Sequence, residues 1–160
     1  MITSALLKNK LTPIKIKYTH KLFVLCLLAS ILNGYFWVFL NELYFHYAAK
    51  PRIQDAGKGV EFIFAIILAP CGETFLCNFF PNLVLRAFTT RFYILLIVPS
   101  ILFAFNHTYN PLYVVYTFFG GIILNYFYLK SREVEQSTIP ALIWTCLLHV
   151  SFNFFVFLTS

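Results

Sequence analysis

Charge is what this sequence has least of. Only 11% of its 160 residues are charged, against roughly 25% in an average soluble domain. A chain this short that is 60% hydrophobic cannot hide its apolar surface from water inside one globule. That excludes an ordinary soluble domain and leaves lipid as the solvent. Cysteine is sparse. Cys26, Cys71, Cys77 and Cys146 all lie in apolar runs with no CxxC pair, so buried thiols are expected and no disulfide framework. A cleavable signal peptide is lacking too. The first apolar run starts near Leu22, is too long for a signal core, and has no small-residue cleavage site. The net charge of +6 does not form the basic stripe of a nucleic-acid binder, so no nucleic-acid partner is expected. No repeat, low-complexity tract or second domain is visible.

What the sequence does have is apolar length. A membrane-crossing helix needs about 20 apolar residues. Residues 1–21 do not qualify: Lys8, Lys10, Lys15, Lys17 and Lys21 surround Pro13, which reads as a basic arm at the headgroups, helical in part. Apolar runs follow at about 22–45, 60–80, 92–107, 112–129 and 139–158. The expected fold is therefore an all-α, polytopic transmembrane bundle of about five spans. A polar loop, 46–59, separates the first two. Lys and Arg concentrate in flanks that share one side if the N-terminus is cytoplasmic, nine against three, which predicts that orientation. Membrane lipid is the implied surrounding.

A polar or ionisable group at membrane depth costs roughly 3 kcal/mol or more and points to function. The set is small: Glu73 in the second run, His107 ending the third, His149 in the fifth, and Asn153 one helical turn after His149. A carboxylate can act as general base on water. Histidines can orient that water, shuttle a proton or donate to an oxyanion, and an asparagine amide is a fixed oxyanion donor. These are parts for hydrolysing an amide without a protein nucleophile. Glu73, His107 and His149 would equally form a zinc ligand set, and spacing alone does not choose between the two. A channel or carrier that relays protons through Glu and His would use the same residues, although a carrier more often shows an inverted repeat.

Three short motifs narrow the choice. Ala69-Pro70-Cys71-Gly72-Glu73-Thr74 leads to Asn78; Phe103 precedes His107 by four residues; His149 precedes Asn153 by four. Their order, spacing and placement on three successive polar-bearing runs resemble the EExxxR, FxxxH and HxxxN/D motifs of the CAAX protease and bacteriocin-processing (CPBP/Abi) family of intramembrane proteases. Gly120-Gly121 fits the family's Gly-rich helix. The first motif is divergent: Thr74 stands for the second Glu and Asn78 for the Arg. Losing both together keeps the charge balance, and neutral hydrogen bonds could replace the ion pair.

The resemblance covers about 60–158 and implies a core of four transmembrane helices there, after the basic arm 1–21 and a first helix 22–45. It implies an endopeptidase acting on a membrane-anchored peptide or protein, in a bacterial inner membrane. Glu73 would activate water, His107 assist, and His149 with Asn153 stabilise the oxyanion, supported by Thr74, Asn78 and Phe103. The alternative within the family is a catalytically inactive binding or bacteriocin-immunity protein. At about 1.5 Å per residue, Glu73 reaches the depth of His107 and Asn153 only if the second helix continues past Pro81 to near Ala87. A long, bent second helix is therefore predicted.

Overall fold

Backbone in lipid must satisfy its own hydrogen bonds, and a helix does so within one segment. The computed structural model describes residues 2–44, 62–108 and 110–159, with side chains over 17–44, 63–108 and 110–159. These residues form five helices and no strand: α1 (Ile2–Tyr44), α2 (62–85), α3 (Phe92–Phe105), α4 (Pro111–Glu135) and α5 (Thr138–Thr159). The polar loop expected at 46–59 lies outside the described residues. The protein is a helical bundle, and among the described residues four helices are long and apolar enough to cross a membrane. Outward-facing Leu32 and Ile139 are each 68% exposed, as surfaces solvated by lipid would be.

Two elements differ from the sequence expectation. First, α1 is continuous from Ile2 through the basic arm, so arm and first span are one helix, about 65 Å long at 1.5 Å per residue. Second, the third run is shorter than expected. Instead of spanning 92–107, α3 has 14 residues and stops at Phe105, about 21 Å of helix against a hydrocarbon core of about 30 Å. Asn106 caps it and His107 enters a turn. The apolar residues end with the helix at Phe105; the polar Asn106 and His107, counted into the run because His107 bears on function, lie in the turn that follows.

α2 is bent by its prolines. Two wide π turns, Phe62–Leu68 and Thr74–Phe79, each lead into an α segment with proline near its start: Pro70 in Ala69–Glu73 and Pro81 in Phe80–Leu85. Proline has no N–H to give the ladder and its ring crowds the preceding turn. A widened turn absorbs that mismatch without ending the helix. The helix therefore passes through Pro81, as the depth argument requires, and gives way to a turn at 86–88.

α4 is the central element and packs against all the others. Thr117, Gly121, Leu124, Asn125 and Tyr128 are buried at helical spacing along it. Its start is set by Asn110, whose side chain accepts from Leu112 N at 2.8 Å, with Pro111 in the first turn. α1 is tied to it at two levels: Thr19 Oγ1 donates to Glu135 Oε1 at 2.8 Å, and Asn33 Nδ2 to the Tyr116 carbonyl at 3.4 Å. Lipid tails are as apolar as leucine, so helices in membranes associate through close packing and polar contacts. Gly121 supplies the closest approach. A Cβ there would lie 3.1 Å from Ser100 Cα and 3.2 Å from both the Ser100 carbonyl oxygen and Phe103 Cδ1.

Gly121→Ala should therefore force α3 away from α4 and destabilise the fold by about 1–3 kcal/mol. Gly72→Ala, whose Cβ would meet nothing within 4 Å, should stay within about 1 kcal/mol of the parent. Thermal unfolding of both variants in detergent measures the difference.

Candidate active site

Glu73 is the last residue of the short α segment between the two π turns. Its side chain is 20% exposed and has an imidazole against each oxygen. His107 Nε2 lies 3.6 Å from Oε1 and His149 Nε2 lies 3.7 Å from Oε2. Both separations exceed the usual 2.7–3.2 Å hydrogen bond and leave the carboxylate oxygens and the two Nε2 atoms as close polar neighbours. His107 and His149 are themselves nearly covered, at 12% and 6% side-chain exposure.

Each imidazole is held by a separate device. His107 Nδ1 donates to the Phe103 carbonyl at 2.8 Å. A carbonyl can only accept, so the proton sits on Nδ1 and Nε2 is the nitrogen turned to Glu73. This explains the four-residue spacing of Phe103 and His107: the last turn of α3 leaves that carbonyl free of a helical partner. The Phe103 ring lies between the two imidazoles, with centroids 4.8 Å from His107 and 5.6 Å from His149. On the other side, His149 Nδ1 shares a 3.2 Å hydrogen bond with the Thr74 hydroxyl. Thr74 is fully buried, so this bond is shielded from competing water.

The structure thus brings Glu73, His107, His149, Thr74 and Phe103 together. Asn153 has a backbone partner. Its Nδ2 donates to the Ala65 carbonyl at 3.0 Å, in the first π turn of α2, and so clamps α5 to α2. Asn78 is fully buried, with no hydrogen bond to either amide atom. Sequence reasoning missed an adjoining chain of amides and hydroxyls. Asn82 Nδ2 donates to Asn125 Oδ1 at 3.1 Å, and Asn125 Nδ2 to Ser100 Oγ at 3.2 Å. The available signal was Asn82, one helical turn after Asn78.

Carboxylate plus two imidazoles is zinc-type donor chemistry. Among the described residues no group of three His, Cys, Asp or Glu is drawn together as a metal-holding cluster; if a metal were held here, Glu73, His107 and His149 would be its donors.

The family model described as Type II CAAX prenyl endopeptidase Rce1-like matches residues 55–155. The chain belongs to this family. No curated protein and no solved structure matches it. The matched region contains every residue of the Glu73 site, and the family is one of intramembrane CAAX proteases.

Thr74→Val keeps the shape but leaves His149 Nδ1 without its hydroxyl partner. It should cost about 1–3 kcal/mol of stability, whereas Thr74→Ser should stay close to the parent. Unfolding of the two variants in the same detergent compares them.

Proposed function

We propose that this protein is an active intramembrane endopeptidase that hydrolyses a peptide bond of a membrane-anchored substrate with a water held by Glu73, His107 and His149. The observation that carries this reading is the Glu73 carboxyl flanked by two imidazoles, with Nε2 atoms 3.6 and 3.7 Å from its two oxygens. In the proposed reaction Glu73 takes a proton as the water oxygen attacks the carbonyl carbon. The oxyanion forms beside His149, and Asn153, which has a second N–H beyond the one bound to Ala65, completes its stabilisation. Glu73 returns the proton to the leaving nitrogen, and the C–N bond breaks to give a carboxylate and an amine. Phe103 and Thr74 position the imidazoles.

The divergent first motif is compatible with this chemistry. Thr74 does its work as a neutral hydrogen-bonding partner of His149, and Asn78, fully buried, is placed for the protein interior rather than for a substrate carboxylate. We further infer a bacterial inner membrane with the N-terminus cytoplasmic. Support for the orientation comes from the basic end of the bundle. The Thr19–Glu135 bond sets Lys17 and Lys21 beside the C-terminal turns of α4, which carry Lys130 and Arg132, and Arg86 is in electrostatic reach of Arg132. Such a cluster marks the inside face.

Purified protein in detergent should cleave membrane-anchored peptides. Glu73→Gln and His149→Ala should each lower kcat by at least about 100-fold, with the helical fold retained by circular dichroism. Intact peptides with every version of a folded protein would favour the inactive binding or immunity protein, for which Glu73→Gln would keep full function.

A further inference from the structure

Five buried side-chain atoms among the described residues lack a hydrogen-bond partner: Asn78 Nδ2 and Oδ1, Asn82 Oδ1, Arg86 Nε and Ser131 Oγ. Four of them belong to Asn78, Asn82 and Arg86. These residues are spaced by four and stack on one face of α2 and its final turn. Thr74, one turn earlier, heads the same stripe and bonds His149. Across from the stripe, Asn125 and Ser100 continue the polar surface onto α4 and α3. Arg86, at the other end, is in electrostatic reach of Arg132, Tyr128 and Glu133. A polar column therefore runs from the candidate site to the basic end of the bundle.

Orphaned groups of this kind are expensive, about 1–3 kcal/mol each, and native interiors pair roughly 90% or more of them. Internal waters typically satisfy such groups, each with about three hydrogen bonds. Orphans scattered through the bundle would mean only imperfect packing. Here they fall on consecutive turns of one helix face. The Asn78 amide offers a donor and an acceptor together, and Asn82 Oδ1 offers an acceptor one turn away. Donors and acceptors of this kind are the groups that internal waters bind.

We propose that the Thr74, Asn78, Asn82 and Arg86 face of α2 holds a file of internal waters linking the Glu73–His149 site to the basic end of the bundle. The file's role in hydrolysis rests on the endopeptidase reading; its existence does not. Each turnover consumes one water, whose oxygen enters the new carboxylate and whose protons divide between the products and solvent. The site lies among apolar helices, and the file resupplies it. Asparagine amides suit the task because they bind water as donor and acceptor without adding a charge.

Pulsed X-ray hydroxyl-radical footprinting of the whole protein in detergent tests the file without reference to activity, because bound waters generate radicals beside buried side chains. Tyr128, 2% exposed and near Arg86, should be labelled. Phe127, 0% exposed in the apolar cluster with Leu22 and Leu148, should not. A Tyr128 as unreactive as Phe127 would overturn the file. In the cleavage assay Asn78→Leu should lower kcat at least about tenfold with KM unchanged, while Asn78→Ser, small and polar, should keep most of it. An Asn78→Leu protein that melts higher than the parent and cleaves at the full rate would mean a dry amide, and the proposal would fail. Should the parent cleave nothing, the endopeptidase reading fails by itself, and footprinting still decides the water file.

Discussion

The cost of holding the Glu73 carboxyl among apolar helices governs this structure. A carboxyl in that setting needs partners, and it has two imidazoles, one against each oxygen. Those imidazoles must be held in turn, by the Phe103 carbonyl and the Thr74 hydroxyl. The Phe103 carbonyl is available only because α3 ends at Phe105. The Phe103 ring reaches both imidazoles because Gly121 lets α3 lie against α4. On the opposite side, the π turn that begins at Thr74 follows directly on the Pro70 segment. A short helix, a bare glycine and a pair of prolines, each unfavourable in isolation, serve one placement.

Some of this could be read before any coordinates. Glu73, His107 and His149 stood out because ionisable residues are conspicuous in apolar runs, and their spacing matched known motifs. Helix number and order followed from run length. The end of α3 was set two residues too far, because the run was extended to take in His107; Asn106 and His107 are polar and lie in the turn after Phe105. The π turns of α2 were hidden for a different reason. A proline announces a lost hydrogen bond, and whether the ladder breaks, kinks or widens depends on packing by the other helices. Asn82, Ser100 and Asn125 were not singled out because each is a common, uncharged residue, and only the fold shows that they meet.

Asn153 separates what spacing fixes from what it leaves open. Its distance of four residues from His149 puts both on one face of α5, and that face does turn to α2. The helices run antiparallel, so one turn beyond His149 the amide meets the Ala65 carbonyl in a π turn, where the α-helical bonding pattern is disturbed. The contact anchors the end of α5 where the backbone of α2 is irregular. An amide has two N–H groups, so anchoring and oxyanion donation are not exclusive. The first requires that the second act from a fixed position.

The divergent motif fits the same physical account. A buried ion pair is only marginally favourable over neutral side chains, but a single unpaired charge is severely costly. A second Glu or an Arg could hardly have been lost alone. Thr74 and Asn78 replace both with neutral groups, and only Thr74 gains a protein partner. Asn78 gains none, and neither does the Oδ1 of Asn82 one turn on. A bundle selected only for packing would fill these positions with leucine or alanine. Amides persist there at a cost in stability, along the line that joins the candidate site to the basic end of the bundle, as expected where the interior must take in water.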